Sequence, residues 1–202
     1  CYNTGTVMGN GDTGGVAGCA RNNVDITGCY NTGTVMGNGD AGGVVGLIWY
    51  NTTITNCYNT GAVTGNGENF NTGGVAGMIW DESTVNNCYN TGTVMGNGDT
   101  GGVAGEIWEE STVNNCYNSG LVNGNGCYTG GVAGEAWDGS AIIECNNKGI
   151  ITGSKITGGI VGNIWNNSSY NISSVGNCYN SGNITGFEKT GGVAGSAGDN
   201  AI

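Results

Sequence analysis

The sequence predicts an all-β fold, a parallel β-solenoid (β-helix) of seven coils with about 28 residues and three short strands per coil. Three observations carry that expectation. One unit recurs seven times along the chain. Glycine supplies 44 of the 202 residues while proline is absent. The apolar residues fall in runs of strand length, punctuated by Gly and Asn, and the glycines are too frequent for a helix to survive.

Cysteines mark the period. Cys1, Cys29, Cys57, Cys88, Cys116, Cys145 and Cys178 are separated by 28, 28, 31, 28, 29 and 33 residues, and glycine pairs from Gly14-Gly15 to Gly191-Gly192 keep the same beat. The unit reads C-Y-N-T-G-x-V-x-G-N-G-D-x-G-G-V-A-G-x-I-W, then two or three polar residues, then S/T-x-V-N-N. Residues 1–202 therefore read as a single repeat array, expected to be a window of a longer one.

In the fourth unit the first strand is centred on Val85, just before Cys88, the second on Val94, and the third runs from Gly102 to Ile107. Each is rich in β-branched or small residues, which suit an extended backbone. Three such strands close one coil, and each bonds its equivalent in the next coil about 4.8 Å away. Variation between units sorts the faces. Val16, Val44, Val75, Val103, Val132, Ile160 and Val193 form one apolar column, and Ala20, Ile48, Ile79, Ile107, Ala136, Ile164 and Ala197 form another. The residue just before the second column varies from Cys19 and Leu47 through Met78, Glu106 and Glu135 to Asn163 and Ser196. Strand side chains alternate, so the apolar columns face inward and the mixed one outward. The glycine between them (Gly46 in the second unit) shares the narrow inner face. The long units carry their extra residues in polar stretches at 68–72 and 166–174, where they would bulge as loops.

Charge excludes several functions. The net charge is −11, and the cations are only Arg21, Lys148, Lys155 and Lys189, so nucleic acid is not an expected partner. No apolar run approaches the roughly 18 residues of a membrane span. The absence of His removes Ser-His and Cys-His dyads, and no G-K-[S/T] follows the glycine-rich segments. The chain is therefore not expected to be an enzyme.

Stacking in register turns each repeated residue into a column. The cysteine column admits two readings, a ladder of buried thiols or disulfides between adjacent coils, and nine Cys in all leave at least one without an intrachain partner. Trp49, Trp80, Trp108, Trp137 and Trp165 form a second column. Stacked indoles would rigidify the solenoid, and exposed ones would offer a ligand-binding platform for a glycan or a host protein. Tyr2, Tyr30, Tyr58, Tyr89, Tyr117 and Tyr179 form a parallel aromatic column, broken by Asn146. Asp81, Glu82, Glu109, Glu110 and Asp138 follow the Trp residues in three consecutive units, with Asp12 and Asp40 stacked earlier. These carboxylates read either as solvated edge charges or as ligands for Ca²⁺, the one candidate cofactor. Thr4/Thr6, Thr32/Thr34 and Thr91/Thr93 repeat the pattern of an ice-binding face, but four units lack it.

The chain resembles the GLUG-motif repeats of bacterial surface and secreted proteins. Gly15-Val16-Ala17-Gly18, Gly43-Val44-Val45-Gly46 and Gly159-Ile160-Val161-Gly162 carry the likeness, each after a T-G-x-V-type strand, and it recurs in every unit. The recurrent Cys is a departure from that pattern. The resemblance implies an extracellular or cell-surface location in a microbe and a stalk or adhesive region rather than a catalyst. Two functions are thus expected in order: a structural solenoid module, or a recognition module using the Trp column. The window starts on Cys1 and stops at Ile202 within the seventh unit, with no cap in the sequence. Continuation in a longer array, or end-to-end self-association into a filament, is the expectation.

Overall fold

The computed structural model describes residues 1–166, 171–198 and 201, and every element in it is a strand. Among these residues no helix is long and apolar enough to cross a membrane. The first coil sets the pattern with β1 (Tyr2–Asn3), β2 (Val7–Gly9), β3 (Thr13–Gly14), β4 (Ala17–Arg21) and β5 (Asp25–Thr27). Each strand pairs in parallel with its counterpart in the next coil. The counterparts of β1 to β4 build four seven-stranded sheets, and those of β5 a six-stranded one.

The register is that of the repeat itself: Tyr58 pairs with Tyr89, Val63 with Val94, Thr72 with Thr100 and Ile79 with Ile107. The three expected strands are the counterparts of β5, β2 and β4. The two others, β1 and β3, span only two residues in the first coil and carry no apolar β-branched pair, so nothing in their composition marks them as strands. They form because their neighbours hold the backbone extended next to an identical segment one coil away.

Extra residues fall between strands. In the third coil they lie between Gly65 and Thr72, and in the sixth between Trp165 and Ser174; residues 167–170 of that second insertion lie outside the described residues. Neither insertion shifts the ladder on its far side.

Among the described residues two apolar clusters lie in the interior, a long one running through the coils and a small one of Val35, Ala41 and Val63. Val44, Val75, Val103, Val132 and Ile160 are fully buried, as are Ile48, Ile79 and Ile107, so the inward columns hold through the inner coils, whereas Val193 and Ala197 in the last coil are exposed because no described coil covers them. Burying such a side chain contributes about 1.5–3 kcal/mol, and the same contribution recurs in each coil. The mixed column does point outward, yet Glu135 and Asn163 are only 8% exposed. Asn163 Nδ2 donates to Glu135 Oε1 at 2.8 Å, so this pair covers itself.

Candidate functional site

The repeated polar and aromatic side chains form ladders along the solenoid. The innermost polar one was not singled out in the sequence. Asn31, Asn59, Asn90, Asn118 and Asn147 are fully buried, and each donates through Nδ2 to Oδ1 of the next at 2.8 to 2.9 Å. The second Nδ2 hydrogen goes to the carbonyl of the glycine two residues on, as from Asn90 to Gly92 at 2.8 Å. Gly92 N–H returns the bond to Asn90 Oδ1 at 3.1 Å. All four hydrogen-bonding positions of Asn90 are thereby used, which offsets the cost of burying the amide.

This ladder explains the second glycine of every pair but the last, Gly192, where a Cβ would meet open space. A Cβ on Gly43 would run into the Gly74 carbonyl oxygen and the side-chain amide of Asn59. The Asn column and the Gly-Gly pair are therefore two halves of one packing unit.

The cysteines stack beside it as thiols, and all nine are free. Cys57 N–H donates to Cys88 Sγ at 3.3 Å, Cys88 N–H to Cys116 Sγ at 3.3 Å, and each sulfur in turn lies near the carbonyl two residues earlier. The column is thus bonded through backbone N–H groups rather than through S–S bridges. Burial, followed by hydrogen bonds to Cys145 and Cys88, pushes Cys116 well above the ordinary thiol range. Cys57 and Cys178 are raised first by hydrogen bonding to Cys88 and Cys145 and then by burial. The thiols favoured to ionise are the alternate ones, Cys88 and Cys145, because both of their neighbours hydrogen-bond to them.

On the outside the aromatic residues stack flat. Tyr30, Tyr58, Tyr89 and Tyr117 lie with centroids 4.8 to 4.9 Å apart and planes within 5°. Trp49, Trp80, Trp108, Trp137 and Trp165 are half-buried and stack at 4.6 to 5.4 Å. Their ring faces cover one another, so the column presents ring edges along its length.

The carboxylates gather around these indoles. Trp80 Nε1 donates to Glu109 Oε2 at 2.8 Å, Trp108 Nε1 to Asp138 Oδ2 at 3.2 Å and Trp137 Nε1 to Glu106 Oε1 at 2.7 Å. Trp165 lies close enough to Glu135 to favour its charged form. Asp81, Glu82, Glu109, Glu110 and Asp138, the candidate calcium ligands, sit at a corner where the backbone is left-handed, with φ between 47° and 59°. Among the described residues no three of His, Cys, Asp or Glu converge closely enough to hold a metal ion. The five are instead spread along the corner, where Glu109 and Asp138 serve the indoles. Glu110 Oε1 accepts from Asn171 of the sixth-coil insertion at 2.7 Å, across Gly139, whose missing side chain leaves the room.

A groove of about 640 Å³ opens beside this network, lined by Glu68, Asn71, Asp99, Glu106, Tyr128 and Lys155 among others. Asp99 is pushed up to about 7 by burial and by the charge of Glu106. Glu135 is raised to about 7 and Asp40 to about 6, both mainly by burial. The sequence placed Asp40, Glu106 and Glu135 in repeated positions, but their shared environment depends on the loops that cover them.

Residues 37–64, one turn from the end of the second coil's β2 counterpart into that of the third, match the GLUG motif. The resemblance read from the sequence holds there. A crystal structure of a Bacteroides ovatus protein, provisionally assigned as an immunoglobulin A1 protease, is similar with a TM-score of 0.61 and 21% identity. The match covers 96% of this chain and 67% of that one, and at this identity it is a likeness of fold. No curated protein matches the sequence.

Proposed function

We propose that this β-solenoid is a non-enzymatic stalk or filament-forming module of a microbial surface or secreted protein. One observation supports the reading above others: the repeated side chains spend their chemistry on one another. The Asn amides are saturated along the column, the thiols bond backbone N–H groups, and the aromatic faces stack face to face. Such a column rigidifies every coil it passes through and leaves little for a substrate.

In this reading the module needs no cofactor, so a chelator leaves its melting temperature unchanged. Two measurements test it. Immunoglobulin A1 incubated with the chain stays intact, and cleavage would overturn the non-enzymatic assignment. Light scattering across a concentration series gives growing end-to-end species, and a strict monomer at high concentration would remove the filament role. Adhesion through the Trp column is the weaker reading, because only ring edges face outward. A glycan array read with Trp108→Ala as control separates it from a pure spacer, which binds no glycan specifically.

A further inference from the structure

The Trp column combines two features that stacking for rigidity does not require. Neighbouring indoles overlap over five consecutive coils, with planes within 11° of parallel and centroids no more than 5.4 Å apart. An electron can therefore pass between rings without leaving the column. Three of the five indole N–H groups also hydrogen-bond a carboxylate of their own, Glu109 for Trp80, Asp138 for Trp108 and Glu106 for Trp137, and Glu135 lies beside Trp165. Losing an electron makes an indole N–H far more acidic, comparable to a carboxylic acid, and the radical persists where a base accepts that proton. Trp49 is the exception, for its Nε1 is shielded from solvent and has no hydrogen-bond partner.

We propose that the Trp column relays one-electron oxidation along the solenoid axis, each indole beyond Trp49 passing its N–H proton to the carboxylate beside it, so that the hole leaves Trp49 and settles between Trp80 and Trp165. The substrate class is an outer-sphere one-electron oxidant, a metal polypyridyl complex or an organic radical. The oxidant takes one electron from Trp49 and is itself reduced, leaving the Trp49 radical cation. An electron from Trp80 then restores neutral Trp49, while the Trp80 N–H proton moves to Glu109. This leaves a neutral Trp80 radical beside a protonated carboxyl group. In the next step an electron moves from Trp108 to Trp80, Glu109 returns its proton to Trp80 Nε1, and Trp108 gives its own to Asp138. No bond between heavy atoms forms or breaks: the first step moves one electron and no proton, the second one electron and one proton, and the third one electron and two protons between separate donor–acceptor pairs.

Cys19 provides the entry point for a test. It is exposed, and it lies two residues from Arg21, the strand partner of Trp49. In the full chain carrying Cys1→Ser and Cys127→Ser, a ruthenium polypyridyl complex is attached at Cys19, excited, and quenched to its Ru(III) state. Oxygenated tryptophans are then mapped by peptide mass spectrometry. The relay gives oxygenation at Trp137 and Trp165 as well as near the label. Trp108→Phe, checked for folding by far-ultraviolet circular dichroism, lowers the distal products by at least an order of magnitude and spares those at Trp80. Products confined to Trp49 in the parent, or distal products unchanged by Trp108→Phe, would overturn the relay. A second variant, Glu109→Gln with Asp138→Asn, keeps all five indoles and removes two proton acceptors. It lowers distal oxygenation several-fold, and an unchanged distal yield would sink the proton-coupled step even if Trp108→Phe failed to fold.

Discussion

Asn90 Nδ2 donates to Asn118 Oδ1 at 2.9 Å, and both side chains are fully buried. The same bond joins the neighbouring coils, so a polar chain runs through the interior parallel to the solenoid axis. Bonds in such a chain polarise one another, and a break is felt on both sides.

Asn90→Ala should therefore cost more than one hydrogen bond. It strips the acceptor from Asn59 Nδ2 and the donor from Asn118 Oδ1, and it leaves the Gly92 N–H and C=O without their side-chain partners. At about 1–3 kcal/mol for each buried group left unsatisfied, a loss of several kcal/mol is expected in denaturant unfolding. A loss below about 1 kcal/mol would contradict the ladder.

Gly74→Ala tests the other half of that unit. Its Cβ would collide with the Gly102 carbonyl oxygen and with the side-chain amide of Asn90. Because one of the obstructing atoms is backbone in the next coil, side-chain rotation cannot relieve it. The variant should lose about 1–3 kcal/mol or fail to fold, whereas Gly11→Ala, where a Cβ meets open space, should be close to neutral.

Stability should rise as pH falls from about 7 toward 4. Asp99 and Glu135 are raised to about 7 and Asp40 to about 6, above their ordinary carboxylate values. Between the unfolded and folded values the folded chain holds more protons, so protonation stabilises it, and the gain is lost as pH rises through the folded values. Each carboxylate contributes a slope of up to about 1.4 kcal/mol per pH unit in that window. Melting temperatures across the range should show the trend, and Glu135→Gln should flatten it. A maximum near pH 8 would refute the assignment.

Glu144 occupies a left-handed position, φ 54°, that Asn56, Asn87, Asn115 and Asn177 hold in other coils. Asn adopts this region more readily than Glu does. Glu144→Asn should stabilise the chain by about 0.5–1 kcal/mol, measured as a shift in denaturation midpoint with unchanged slope. Destabilisation would mean that the Glu144 side chain makes a contact worth more than the backbone strain.

The repeat period, the parallel in-register stacking and the inward columns around Val44, Val75, Val103 and Val132 were legible in the sequence. Each coil repeats the same alternation, and stacking identical coils leaves one consistent choice of face. The Trp and Tyr ladders followed from the same logic, since any residue at a fixed place in the unit must lie above its copy. Tertiary structure decided the rest. Asn in C-Y-N reads as a turn residue until the Gly-Gly pair of the preceding coil and the amides of adjacent coils close around it. The short β1 and β3 strands carry no local signal, because neighbouring coils impose them. Thiols or disulfides could not be separated by spacing, for the choice depends on where each sulfur points, and here it points to a backbone N–H. The pairing of Trp137 with Glu106 and of Trp80 with Glu109 likewise depends on indole orientation and on the loops that exclude water. Periodicity fixes which residues stack, whereas rotamer and burial, set by atoms 28 or more residues away along the chain, fix what each stack does.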